Sequence, residues 1–103
     1  MTATPPAEAL LPWALAQLGA GRTATPELRP VAGDASHRRY FRFHSGGRNY
    51  VLAEAPPALE KNPEFVTVQG LLDSAGVRVP ALFAVDLERG FMLQEDLGDQ
   101  VLL

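Results

Sequence analysis

The sequence predicts an α+β fold: one five-stranded antiparallel sheet, a helix between its third and fourth strands, and another helix ahead of the sheet. Three observations predict it. Residues 39–54 read as two alternating strands joined across Gly46-Gly47, a composition that closes hairpins. Residues 62–76 open on Asn-Pro-Glu, carry apolar residues at helical spacing and end on glycine. Residues 81–94 give two more short strands about the turn Glu88-Arg89-Gly90. Three strands, a helix and two strands, without alternating β-α units, describe an antiparallel sheet with a helix packed on it.

The bulk numbers set limits on function. A length of 103 residues allows one domain at most, and 47% apolar with 20% charged residues is the composition of a soluble globular chain. A net charge of −3 argues against a nucleic-acid-binding surface. Cysteine is absent, which removes disulfides and thiolate metal sites, and only His37 and His44 offer imidazole. The first residues lack the positive start of a signal peptide, and no stretch approaches the ~18 apolar residues of a membrane span. The expectation is a cytoplasmic protein with no nucleic-acid or membrane partner and no metal ligands in this chain.

In order along the chain, residues 1–6 form a frayed tail and 7–18 a helix with Leu11, Leu15 and Leu18 on one face. Pro12 suits the first turn of that helix or kinks one that begins earlier, and Gly19 with Gly21 supplies the stop. Trp13 reads as a core or interface anchor. Residues 1–22 are thus a tail and helix, and 23–103 the sheet-bearing lobe. Strand one covers 28–32. In strand two, 39–44, Tyr40, Arg42 and His44 face one way and Phe41 and Phe43 the other; strand three covers 49–54. Ala55-Pro56-Pro57 ends it. Asn62 is expected to cap the next helix, with Pro63 at its first position and Glu64 in its first turn. Its apolar stripe is expected to be Phe65, Val68, Leu72 and Ala75, with Leu71 alongside, and Gly76 closes it. Strand four runs over 81–86 and strand five over 91–94.

The turn Gly33-Asp34-Ala35-Ser36 separates strands one and two and is followed by Arg38 and Arg39. Small residues let backbone N–H groups approach phosphate oxygens, a serine hydroxyl adds a donor, and guanidinium offers paired donors. Alternation sets the two arginines on opposite faces, so no more than one of them reaches such a phosphate; the alternative is an ordinary hairpin turn with solvated arginines. Adjacent Glu95 and Asp96 likewise point to opposite faces, which opposes reading them as a carboxylate pair.

The wording VAGDASHRRYFR at 31–42 resembles the aminoglycoside phosphotransferase family of kinase-like folds. Its nearest likeness there is to the bacterial anomeric kinases that phosphorylate N-acetylmuramate and N-acetylglucosamine at C1 during cell-wall recycling. EAPP at 54–57, AGVRVP at 75–80, DLERGF at 86–91 and EDLGD at 95–99 carry the same resemblance. It implies a kinase-like N-terminal lobe that binds ATP with Mg²⁺ and packs on its own C-terminal lobe. By that resemblance Gly33, Asp34, Ala35 and Ser36 cover the phosphates, with Arg38 or Arg39 beside them. Val51 lines the adenine pocket and Gln94 stands at its back. Glu95 and Leu97 offer the backbone carbonyl and N–H that read the adenine edge.

Two positions depart from the wider fold. Ala53 stands where the strand-three lysine holds the α- and β-phosphates of ATP. The helix position that should pair with that lysine falls near Gln69, with Glu64 the other candidate. The family's catalytic aspartate and Mg²⁺ ligands have no counterpart in these residues, so the chain is expected to stop short of the catalytic lobe and to be inactive alone. The implied reaction is γ-phosphoryl transfer from ATP to the anomeric hydroxyl of an N-acetylated amino sugar. The rival readings are a phosphotransferase for another small alcohol, such as an aminoglycoside or choline, and a non-catalytic nucleotide- or protein-binding domain.

Overall fold

Residues 7–19, 26–31 and 38–98 are described by the computed structural model. Their elements are α1 (Leu10–Gln17), β1 (Arg29–Val31), β2 (Arg39–Ser45), β3 (Arg48–Glu54), α2 (Asn62–Ser74), β4 (Leu82–Asp86) and β5 (Phe91–Glu95). The strands make one sheet in the order β1-β2-β3-β5-β4, every neighbouring pair antiparallel. The expected α+β architecture, compatible with a kinase-like N-terminal lobe, is therefore present. The excursion through α2 lets β5 pair with β3 and leaves β4 on the edge.

Alternation along the strands divides the core in two. On one face Phe41, Phe43, Leu52, Phe91 and Leu93 pack with Leu10 and Ala14 of α1. Fully burying a leucine such as Leu10 contributes roughly 1.5–3 kcal/mol, which outweighs the weak helix-forming tendency of an eight-residue segment. Pro12 is the third residue of α1, inside the first turn, where its missing N–H has no helical partner to lose. Trp13 is an anchor, its ring 5.8 Å from that of Phe91. On the other face Ala53, Ala55 and Met92 form a second cluster, with Phe65 and Val66 of α2, Tyr40, Leu82 and Val85 against it. The two alanines leave room for the helix to settle on the strands.

Helix α2 differs from its expected orientation. Phe65 and Val66 face the sheet and Gln69 is buried, while Val68 and Leu71 stand 52% and 65% exposed. Hydrogen bonding decides this rotation. Asn62, almost wholly buried, donates from Nδ2 to the Ala55 carbonyl at 2.8 Å, and Gln69 donates from Nε2 to the Pro80 carbonyl. Both carbonyls belong to proline-bearing connections. Each bond spares an inward carbonyl the cost of going unpaired, and together the two fix which side of the helix meets the sheet. Asn62 is accordingly a helical residue rather than the cap; Lys61 takes the cap position without a side-chain hydrogen bond. The helix closes as expected at Gly76 (φ +84°), with the Val77 N–H on the Leu72 carbonyl at 2.9 Å and the Gly76 N–H on the Asp73 carbonyl at 3.0 Å.

The β4–β5 turn is pinned beneath the end of β3. Gly90 has φ +75°, and its carbonyl accepts from the Ala55 N–H at 2.8 Å. A Cβ at residue 90 would stand 1.9 Å from the Ala55 oxygen, so glycine is required there both by conformation and by space. A register shift between Leu82 and Ala84 turns Phe83 outward, its ring edge-on to Tyr50 at 5.9 Å.

Candidate nucleotide site

On the face of the sheet that carries α2, the helix packs over one end of the strands. There, Tyr40, Ala53, Met92 and Val85 lie under the helix. Toward the other end, the register places Arg42 opposite Val51, Val51 opposite Gln94 and Gln94 opposite Leu82. This row crosses four strands at the point where β5 runs out into residues 96–98. It brings together Val51 and Gln94 of the expected nucleotide residues, next to Glu95 and Leu97 on the departing chain.

One ion pair fastens that departure. Arg42 donates from Nε to Asp96 Oδ2 at 2.7 Å and from Nη2 to Asp96 Oδ1 at 3.1 Å. The Gly98 N–H donates to the same Oδ1 at 2.8 Å. Side-chain exposure is 7% for Asp96 and 24% for Arg42. Burial pushes the Asp96 carboxyl up, but the Arg42 hydrogen bonds, the Gly98 N–H and the guanidinium charge outweigh it and hold the group below the usual carboxylate range. Because Arg42 stands on β2 and Asp96 follows β5, its guanidinium crosses β3 on the way, on the same face as Val51.

Glu95 and Asp96 diverge, as alternation requires. The Glu95 carboxylate accepts from the Ala81 N–H at 3.2 Å, and its own N–H donates to the Ala81 carbonyl at 2.9 Å. The Glu95 N–H is therefore used inside the sheet, and any edge it presents to a ligand is its carbonyl. Leu97 is partly buried. Gln94 is 7% exposed, and its side-chain oxygen Oε1 is enclosed with no hydrogen-bond partner among the described residues.

Arg38 and Arg39 go to opposite faces. Arg39 lies on the α1 face and binds Glu54, from Nε at 3.1 Å and also from Nη2. The second Glu54 oxygen accepts from the Ala7 N–H at 2.7 Å. Arg38 lies on the α2 face, its guanidinium 4.0 Å from the centre of the Phe65 ring and its Nη2 3.3 Å from Glu60 and 3.5 Å from Asn62 Oδ1. Ala53 is fully buried opposite Tyr40 and Met92, its methyl group packed under α2. Gln69 is turned to Pro80, and Glu64 is exposed in the first turn of α2, so neither occupies an ion pair with strand three. The turn residues Gly33, Asp34, Ala35 and Ser36 lie outside the described residues.

Sequence reasoning missed the Arg42–Asp96 pair and the inward-facing Asn62. The alternation did place Arg42 on the Tyr40 face, away from the phenylalanines; a charged residue on a half-buried strand face was the available signal of a distant partner. Among the described residues no three His, Asp or Glu side chains gather as metal ligands, and no helix is long and apolar enough to cross a membrane.

Sheet order and helix placement are those of a kinase-like N-terminal lobe, and the chain belongs to the phosphotransferase enzyme family, which it matches over residues 27–103. Within that class it is similar to N-acetylmuramate/N-acetylglucosamine kinases. With that of Pseudomonas aeruginosa it is 47% identical over 96 residues, spanning 93% of this chain and 28% of the relative. With that of Pseudomonas putida it is 46% identical over 83 residues, 81% of this chain and 24% of the relative. With that of Neisseria meningitidis serogroup B it is 37% identical over 78 residues, 75% and 23%. The chain thus spans about a quarter of the length of these relatives. No solved structure matches it significantly.

Proposed function

We propose that this chain is the ATP-binding lobe of an amino-sugar kinase. The whole enzyme transfers the γ-phosphoryl group of ATP to the anomeric hydroxyl of N-acetylmuramate or N-acetylglucosamine. The observation that carries the reading is the 47% identity to a kinase of that name across 93% of the chain, which includes Val51, Gln94 and the strand exit. Adenine lies beyond α2 on the same face of the sheet, against Val51, with Gln94 behind it. Its edge meets the Glu95 carbonyl and the Leu97 N–H, a flat apolar wall with two backbone hydrogen bonds. The phosphates extend toward the turn at 33–36. Arg38 is the arginine on the same face as Val51, held there by Glu60 and Asn62, while Arg39 lies on the α1 face against Glu54.

In the transfer, the sugar hydroxyl oxygen bonds to the γ-phosphorus as the bond to the β–γ bridging oxygen breaks. The hydroxyl proton passes to a base, and Mg²⁺ offsets the charge on the phosphates. Base and metal ligands belong to a C-terminal lobe on which this one packs; the described residues here do not form a metal site. Titration of the isotope-labelled chain with Mg·ATP tests the nucleotide site. Amide shifts at Val51, Gln94 and Leu97 are expected, and unchanged spectra at millimolar nucleotide would sink the assignment. Phosphate transfer from ATP to N-acetylglucosamine by the full-length protein tests the reaction. Transfer to choline or an aminoglycoside instead would redirect the substrate while keeping the fold.

A further inference from the structure

The nucleotide reading leaves one polar group unexplained. Gln94 lies in the middle of the sheet, between Val51 on β3 and Leu82 on β4, and is more than nine-tenths buried. Among the described residues its Oε1 has no hydrogen-bond donor in reach. A buried amide oxygen without a partner is destabilising, and an apolar side chain at the same place would avoid that cost. The neighbouring buried positions on β5, Phe91, Met92 and Leu93, are all apolar. The other inward-facing amides, Asn62 and Gln69, are each satisfied by a carbonyl. Gln94 is the exception among the described residues, and it stands in the same row as Val51.

We propose that Gln94 is a base-reading residue: its side-chain amide oxygen accepts a hydrogen bond from the exocyclic amine of a bound adenine. The inference rests on the nucleotide site proposed above and assigns a role to the back wall of that site. Two features of the row favour it. Val51 and Gln94 are directly opposed across β3 and β5, so a ring lying on Val51 has its edge toward Gln94. The Glu95 carbonyl, one residue on, accepts one amine hydrogen in the proposed pose and leaves the second for Gln94. The Arg42–Asp96 pair fixes the chain immediately beyond, which holds the edge of the site in register with its back wall. Gln94 therefore adds a side-chain contact to a recognition otherwise made by backbone, and that contact depends on the purine amine.

The test compares ATP with purine riboside 5′-triphosphate, which lacks the amine, as competitors of a ribose-labelled fluorescent ADP on the protein and on Gln94→Leu. The protein is expected to prefer ATP. That preference should shrink about three- to tenfold in Gln94→Leu, the range of one neutral hydrogen bond. Equal preference in the two proteins overturns the role of Gln94 while leaving the site intact. Failure of ATP itself to displace the probe from the unaltered protein overturns the site, and Gln94 with it. Should Gln94→Leu not fold, the side-chain amide resonances of Gln94 in the unaltered protein decide the matter. They should differ between the ATP and purine riboside triphosphate complexes, and identical resonances refute the contact.

Discussion

Replacing Asp96 by alanine removes the acceptor of a two-pronged arginine contact and of the Gly98 N–H together. The magnitude follows from burial. Breaking a fully buried ion pair costs ~3–5 kcal/mol, because the remaining charge is stranded, whereas an exposed pair is worth ~1 kcal/mol or less. Asp96 is close to the first limit, but Arg42 keeps about a quarter of its side-chain surface in water and can rehydrate when orphaned. An intermediate loss of about 2–3 kcal/mol is expected for Asp96→Ala. Arg42→Leu should cost a similar amount, and the double variant less than the sum, with a coupling of about 1.5 kcal/mol or more. Urea unfolding of the four proteins measures it. Single losses that simply add, within about 0.5 kcal/mol, would refute the clamp.

The acid limb gives the same interaction a second readout. Asp96 is held below the usual carboxylate range, so its contribution is complete above its ordinary, unfolded pKa and is lost as pH falls through the lower, folded one. Asp96→Asn should flatten the loss of stability over that acid window.

Three further outcomes are expected. Gly90→Ala should cost at least about 3 kcal/mol, since it combines a positive φ with a collision against backbone, and should show as a large fall in thermal midpoint or in soluble yield. Asn62→Ala should cost about 2–3 kcal/mol by chemical denaturation, because the Ala55 carbonyl and the Arg38 guanidinium both lose a partner; a change under 0.5 kcal/mol would return Asn62 to the status of an ordinary cap. Val68→Lys and Leu71→Glu should each shift stability by no more than about 0.5 kcal/mol, whereas Phe65→Ala, on the packed side of α2, should cost about 2–3 kcal/mol.

The elements were legible because each is written in local chemistry. The phenylalanines of β2 alternate with polar residues, Gly46-Gly47 marks the hairpin, and Gly76 supplies the left-handed residue that a helix end needs. The rotation of α2 was not legible from its own residues. Hydrophobicity put Val68 and Leu71 inside, but the deciding partners are the carbonyls of Ala55 and Pro80, outside the helix. A similar limit hid the Arg42–Asp96 contact, whose halves are 54 positions apart. For the candidate site, alternation could assign Val51 and Arg42 to one face. It could not show that Gln94 lacks a partner, because that depends on what packs around it.

Ala53 gives these long-range contacts a common cause. In the wider kinase fold a strand-three lysine reaches a glutamate of the following helix and so ties strand to helix. A buried methyl group cannot do that, yet α2 still has to be held on the sheet. Here the tie is made from the ends of the elements. Arg38, just ahead of β2, contacts Glu60 and Asn62; Asn62 holds the Ala55 carbonyl; and the Ala55 N–H holds Gly90 of the β4–β5 turn. Four connections thus meet around Ala55, and none needs a charge on strand three. The arrangement accounts for three features that look unrelated along the chain: a buried asparagine at the start of a helix, a glycine that tolerates no Cβ, and an arginine lying on a phenylalanine ring. It also separates two roles that the lysine combines elsewhere. Holding the helix falls to the set around Ala55, so the absence of a lysine at 53 is not by itself an argument against the proposed phosphoryl transfer.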